Sequence, residues 1–88
     1  MKIKNGFILR DVGGKTFVVA VGERSREFKG MITLNETGKL IWQTLEKGAT
    51  VEEVVNAILA EYECDDKALV KSDVNAFIAK LEGDGILE

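Results

Sequence analysis

The stretch EFKGMITLNETG, residues 27–38, decides the fold because strand signals change to helix signals within it. Apolar and polar side chains alternate over residues 27–34, and this period of two is typical of a β-strand with one exposed face. Asn35 is a good helix N-cap, and Glu36 places a negative charge at the positive end of the helix dipole. We therefore predict an edge strand over residues 27–34 that runs directly into a helix.

Two further strands are predicted upstream of this stretch. Residues 7–12 and 15–21 flank the pair Gly13-Gly14, which can adopt the positive φ angles of a tight antiparallel hairpin. Residues 15–21 are apolar on both faces, which is typical of a central strand. The polar residues 22–25 are predicted to form the turn that leads into the third strand.

Three amphipathic helices are predicted downstream. The first runs from the Asn35 cap to Gly48, and the second opens with a capping box formed by Thr50 and Glu53. The third begins at residues 65–66, where an aspartate caps it. Its apolar stripe consists of Val70, Val74, Phe77, Ile78 and Leu81. The pattern predicts an α+β, winged-helix-like fold, with a three-stranded antiparallel sheet followed by three helices.

The composition is that of an ordinary globular domain, with 45% hydrophobic residues, 31% charged residues and a net charge of −3 in 88 residues. We predict a single domain over residues 1–88. No apolar run approaches the roughly 20 residues of a membrane span. The one cysteine, Cys64, cannot form a disulfide framework, which favours a reducing compartment. These features predict a soluble cytoplasmic protein with no membrane partner.

The sequence holds no arrangement of residues that indicates catalysis. It has no histidine to act as a base near neutral pH. Cys64 stands beside acidic residues, which should raise the pKa of its thiol and reduce its reactivity. Phosphate-binding loops and calcium-loop spacings are also missing. We therefore predict a binding protein and not an enzyme, without a cofactor or a metal.

The edge of the predicted sheet is the most available binding surface. An edge strand offers unpaired backbone N–H and C=O groups, and a peptide can add to it as a further strand. The third helix, packed beside that strand, would supply the other wall of a groove. The candidate peptide-binding residues are Phe28, Lys29, Gly30, Met31, Ile32 and Thr33 on the strand, and Lys71, Val74, Asn75 and Ile78 on the helix.

Other uses of this surface stay open at the sequence level. Val74 and Ile78 also fit the buried stripe of the third helix, so they belong either to the core or to the groove. The edge strand could instead pair with a second copy, which leaves a monomer or a homodimer. A winged-helix DNA-binding transcription regulator is the alternative function, with Arg24, Arg26 and Lys29 touching phosphates. The acidic total and the few base-reading side chains argue against nucleic acid.

The order of motifs along residues 7–88 resembles that of PqqD-like proteins. Residues 31–38, followed by Ile41-Trp42 and Leu45, are similar to the LNxTG…IW…L stretch of that family. The end of the chain is similar to its DV..F...L...G.L finish. The matching residues there are Asp73-Val74, Phe77-Ile78, Leu81 and Gly85-Ile86-Leu87.

The resemblance implies a RiPP recognition element, a winged-helix-like domain that binds the leader of a ribosomally made precursor peptide. In that family the leader adds as a strand beside the third strand and lies against the third helix. The domain then presents the precursor to a modifying enzyme, which is a radical SAM protein, or a peptidase or cyclase. The resemblance therefore implies a peptide chaperone.

Overall fold

A computed structural model of the chain describes residues 1–27, 30–63 and 65–88. Within these ranges three strands precede three long helices, and a short helix lies between the second and third strands. The elements are β1 (Phe7–Val12), β2 (Lys15–Ala20), α1 (Arg24–Glu27), β3 (Met31–Leu34), α2 (Glu36–Glu46), α3 (Val51–Tyr62) and α4 (Lys67–Gly83). The α+β, winged-helix-like prediction is confirmed.

The sheet has the strand order β1-β2-β3, and both neighbouring pairs are antiparallel. The β1–β2 hairpin turns at Gly13 and Gly14, whose φ angles are +57° and +80°. Both values suit glycine, which has no Cβ to clash in this region. β2 is the central strand, as its two apolar faces predict.

The two faces of the sheet differ in what covers them. Val18 of β2 is fully buried, and Ile32, which pairs with it on β3, is 9% exposed. These side chains face the helices. The neighbouring pair Val19 and Met31 lies on the opposite face, where Met31 is 61% exposed. The helices therefore cover one face of the sheet and leave the other open.

The prediction for residues 22–34 is wrong in one respect. Residues 24–27 form α1 and not a turn followed by a strand, and β3 begins only at Met31. The Ser25 hydroxyl donates to the Gly22 carbonyl oxygen at 2.6 Å, and Gly22 has a φ of +61°. Such local side-chain bonds compete with extended structure, and an alternating pattern does not reveal them. Phe28, Lys29 and Cys64 lie outside the described residues, so the predictions for them stay predictions.

The predicted helix caps are confirmed. Asn35 Oδ1 accepts a hydrogen bond from the Gly38 amide at 2.7 Å. Thr50 and Glu53 form the capping box at the start of α3. Asp66 is the N-cap of α4, where its side chain accepts from the Leu69 amide. These bonds satisfy amides that the first turn of a helix leaves without partners.

The core lies between the sheet and the three long helices. Trp42 is fully buried at the centre of the core. Its indole ring meets the Phe7 ring edge-on, with 6.2 Å between the ring centres. The apolar tail folds back onto the core, with Ile86 fully buried and Leu87 pairing with Ile3 in a β-bridge. Tyr62, at the end of α3, is 43% exposed. None of the described helices is long and apolar enough to cross a membrane.

Candidate peptide-binding edge

β3 is an edge strand with one free side. It pairs with β2 through residues 31–34, and within the described ranges no backbone group hydrogen-bonds to those residues from the other side. We call the side of Met31–Leu34 that faces away from β2 the β3 edge. Unpaired backbone groups on such an edge are a template for an added strand.

The side chains of β3 alternate between the core and solvent. Ile32 and Leu34 are buried at 9% and 6% exposure, whereas Met31 and Thr33 are exposed. Ile32 can therefore serve a bound peptide through its backbone only. Gly30 precedes the strand in open space, because a methyl group added there would have no neighbour within 4 Å. Among the predicted site residues of this segment, Ile32 can thus offer only backbone groups, whereas Met31 and Thr33 can also offer their side chains.

On α4, the structure resolves the alternative left open for Val74 and Ile78. Val74 is fully buried and Ile78 is 5% exposed, and both belong to the core cluster. Their side chains are not accessible to a peptide in this structure. Their part in the candidate site is to fix the position of α4 beside the sheet.

Lys71 and Asn75 are exposed, but the flank of α4 that carries them lies toward α3. Lys67, one turn before Lys71, donates a hydrogen bond to Glu52 Oε1 at the start of α3, at 2.7 Å. The pKa of Glu52 is lowered by this hydrogen bond and by the charge of Lys67, and to a lesser extent by the charge of Lys71. The placement of Lys71 and Asn75 beside β3 is therefore not supported.

The flank of α4 that points toward β3 carries Phe77. A methyl group added at Gly38 would lie 3.3 Å from Phe77 Cε2 and 3.4 Å from Leu34 Cδ2. The Phe77 ring and the last side chain of β3 therefore meet at the same point on α2. An α-helix turns about 100° per residue, so Asn75 lies about 160° from Phe77 around the helix.

The half-buried Phe77 shares its side of the helix with three exposed residues. We call this set the Phe77 flank, and it consists of Leu69, Asp73, Phe77 and Lys80. Leu69 is 56% exposed, so its side chain is accessible to a ligand. The flank offers apolar contacts at Leu69 and Phe77. Asp73 adds an acidic group between them, and Lys80 adds a basic group after them.

The sequence patterns did not assign the Phe77 flank to the site. Phe77 fits the apolar stripe of α4, and a stripe does not reveal which of its borders faces the sheet. The family pattern held the signal, because its DV..F segment contains both Asp73 and Phe77. Among the described residues, no cluster of three or more His, Cys, Asp or Glu side chains could hold a metal ion.

The comparisons with known proteins agree with this geometry. The family model of PqqD, coenzyme PQQ synthesis protein D, matches residues 9–87. The chain belongs to the PqqD family. This PqqD-family chain is also similar to the solved structure "TbiB1 in Complex with the TbiA(beta) Leader Peptide". The TM-score is 0.76 at 28% sequence identity, over 100% of this chain and 95% of that chain. A search of curated proteins found no match.

These findings confirm the resemblance drawn from the motifs. The family match reaches from β1 to the C-terminal tail, so it includes both the β3 edge and the Phe77 flank. The PqqD-family chain therefore carries both walls of the candidate groove inside the matched region.

Proposed function

We propose that the chain binds the leader region of a ribosomally synthesised precursor peptide by strand addition at the β3 edge and presents it to a modifying enzyme. The observation that carries this proposal is the unpaired β3 edge in a PqqD-family chain whose full length matches a protein solved with a leader peptide.

The two walls of the groove would divide affinity and specificity between them. Backbone groups of Met31–Leu34 would hydrogen-bond to an extended leader whatever its sequence. Leu69 and Phe77 would contact apolar leader side chains at alternate positions, since successive side chains of a strand point to opposite faces. Asp73 and Lys80 would favour a leader that carries charges of opposite sign near them.

The proposed role involves no chemistry by the chain itself. The sequence has no histidine, and no cofactor or metal is required for strand addition. A bound leader would hold the rest of the precursor near the modifying enzyme and so raise its effective concentration there. A radical SAM protein, or a peptidase or cyclase, is the proposed class of enzyme.

The alternative, a DNA-binding regulator, has less support from the described residues. The Arg24 guanidinium lies 5.8 Å from the centre of the Phe7 ring, and its Nε donates to the Asn5 carbonyl oxygen. These contacts hold the Arg24 side chain against the start of β1. Lys67 is paired with Glu52, which leaves the start of α4 without a free basic group at that position.

An NMR titration tests the proposed site. The labelled protein is titrated with a synthetic leader of a precursor peptide, chosen from short reading frames next to its gene, and with a DNA duplex as a control. Saturable shifts with the leader alone, at residues 31–34 and on the Phe77 flank, are expected. Shifts with DNA alone, centred on exposed basic residues of α4, would mean that the chain is a regulator.

A modified peptide tests the mode of binding. N-methylation of alternate leader amides removes backbone donors on one edge while leaving the side chains unchanged. One of the two alternating methylation patterns should abolish binding, because only one edge of the leader faces β3. Equal affinity of both methylated leaders and the parent peptide would exclude strand addition.

A further inference from the structure

The face of the sheet that points away from the helices is largely apolar and uncovered. Val12 and Met31 on it are 62% and 61% exposed, and Ile8 is 37% exposed. Cross-strand pairing places all these side chains together on one surface, which we call the outer face. The outer face consists of Ile8, Arg10, Val12, Lys15, Phe17, Val19, Met31 and Thr33.

The outer face contains a shallow depression with a volume of ≈ 300 Å³. Its lining is almost wholly apolar, and the residues that form it are Arg10, Val12, Phe17, Val19 and Met31. Phe17 and Val19, on this side of the central strand, are only partly buried, and the apolar area that they leave in water is unfavourable. A contiguous surface of this kind is typical of a protein–protein contact.

We infer that the outer face, extended by the bound leader, is the docking surface for the modifying enzyme. This inference rests on the proposed function. Met31 belongs both to the outer face and to the β3 edge, so the two surfaces are continuous. A leader added beside β3 would become a fourth strand, and every second side chain of it would join the outer face.

The size of the outer face favours such a composite surface. Strands of up to six residues, with about 3.4 Å per residue and about 4.8 Å between strands, give a face of about 300 Å². A stable protein–protein contact needs about 800 Å² per partner. A fourth strand would enlarge the face by about a third, so docking should be tighter when the groove is loaded.

The charges on the outer face favour a different protein over a second copy. Arg10 and Lys15 are the charged residues on it, and both are basic and exposed. A two-fold contact would bring two copies of this patch together, with four basic groups and no acidic group on the face to pair with them. A partner with an apolar patch bordered by carboxylates complements the face.

Two variants test the outer face, and both change exposed side chains. Val12→Asp places a charge in the depression, and Arg10→Glu reverses the sign at its border. Tyr62→Asp is the matched control, because it adds the same charge at an exposed aromatic on α3, away from the sheet. Circular dichroism shows that each variant is folded. The probes are the leader described above and a modifying enzyme of one of the proposed classes, chosen from the genes next to that of the protein.

For the wild type, the enzyme should bind the leader-loaded protein at least tenfold more tightly than the free protein, as measured by biolayer interferometry. Val12→Asp and Arg10→Glu should each weaken this docking about tenfold or more, with leader affinity by fluorescence anisotropy unchanged. Tyr62→Asp should match the wild type in both assays.

The outcomes separate the inference from the proposed function. Leader binding by the wild type with undiminished enzyme docking by both variants overturns the inference alone. No leader binding by the wild type overturns the proposed function and, with it, the inference. A concentration-dependent dimer in sedimentation, lost in Val12→Asp, would show that a second copy occupies the face and would also overturn the inference.

Discussion

At the scale of single residues, Gly38 shows how neighbouring side chains restrict which residue fits at a position in a helix. It lies in the first turn of α2, where its amide donates to Asn35 Oδ1. Glycine in a helix costs up to about 1 kcal/mol relative to alanine. A methyl group here would approach the Asn35 carboxamide at 3.2 Å and the Phe77 ring at 3.3 Å. The side chains around Gly38 therefore need the space that glycine leaves.

Gly38→Ala should affect leader binding more than stability. The gain in helix propensity offsets the crowding, so the free energy of unfolding should change by less than about 1 kcal/mol. The half-buried Phe77 ring would shift toward solvent and alter the groove, so leader affinity should fall. Urea unfolding followed by Trp42 fluorescence measures the free energy of unfolding. Fluorescence anisotropy measures the affinity for the leader.

Gly83→Ala is the control for this substitution. It lies at the end of α4, its φ is not in the left-handed region, and a methyl group would meet no atom within 4 Å. The free energy of unfolding of the Gly83→Ala variant should rise by up to about 1 kcal/mol, and its affinity for the leader should be unchanged. A Gly38→Ala variant that binds leader like the wild type would contradict the placement of Phe77 in the groove.

Phe77→Ala and Asn75→Ala distinguish the two flanks of α4. Loss of the Phe77 ring should weaken leader binding by tenfold or more, since apolar anchors in a groove carry most of the affinity. Asn75→Ala should bind leader as the wild type does, because its side chain lies on the far side of the helix. Isothermal titration calorimetry at a temperature where both variants are folded gives the two affinities. A larger loss in Asn75→Ala would restore the original assignment of that residue to the groove.

At the scale of elements, the structure shows which signals are local enough to be read in the sequence. The capping box of α3 and the glycine pair between β1 and β2 act within four residues, and both were predicted correctly. The start of β3 was not, because α1 is fixed both by the local bond from Ser25 to Gly22 and by contacts outside its own segment. Arg24 of α1 reaches back to Asn5 and Phe7, near the start of β1.

The same distinction applies to the candidate site. That β3 is an edge follows from its mixed pattern, and the strand order confirms it. Which flank of α4 faces β3 depends on how the helices cross, and no periodicity along a single helix specifies that angle. The sequence patterns therefore indicated β3 and α4 for the candidate groove but not the flank of α4 that carries Phe77. The assignment of Lys71 and Asn75 to the groove stays a prediction.

The contact between β1 and α2 gives a prediction of pH dependence. Asp11 accepts a hydrogen bond from the Thr16 hydroxyl at 2.6 Å and pairs with Lys39 Nζ at 2.9 Å. The hydrogen bond from Thr16, and then the interaction with Lys39, lower the pKa of Asp11 below its usual value. The folded pKa is thus below the unfolded one, so the stabilisation is present above the unfolded pKa and is lost as the pH falls through the folded pKa.

Asp11→Asn should therefore lower the Tm at neutral pH and not at pH values below the folded pKa of Asp11. The difference should be small and should shrink in high salt, because the pair is exposed. Thermal melts of both proteins across pH 2–7 measure it. An NMR titration of Asp11 should show a higher pKa in Thr16→Val and in Lys39→Gln. A Tm difference that persists unchanged at low pH would show that the carboxylate charge is not the cause.

At the scale of the whole molecule, the two ends of the chain close the fold together. Residue 3 pairs with residue 87, the Lys4 amide donates to the Ile86 carbonyl oxygen, and the Glu88 amide donates to the Lys2 carbonyl oxygen. Ile3 and Ile86 are both buried in the core that also contains Ile32 of β3. The β3 edge is thus part of a structure in which residues near both ends of the chain belong to one core, and unfolding of β3 should be coupled to unfolding of the whole.

This coupling predicts that leader binding raises the Tm of the entire domain. A ligand that binds only the folded state stabilises it by RT ln(1 + [L]/Kd), which is about 2.7 kcal/mol at a leader concentration of 100 Kd. For a domain of this size, each kcal/mol corresponds to roughly 4–8 °C, so the Tm should rise by about 10–20 °C. Trp42 is fully buried and is the only tryptophan, so its fluorescence reports the transition. The inactive N-methylated leader is the control and should leave the Tm unchanged. With the Kd and the enthalpy of unfolding measured independently, the expected shift can be calculated. A shift far below it would mean that the leader also binds the unfolded chain, or that β3 unfolds separately from the core.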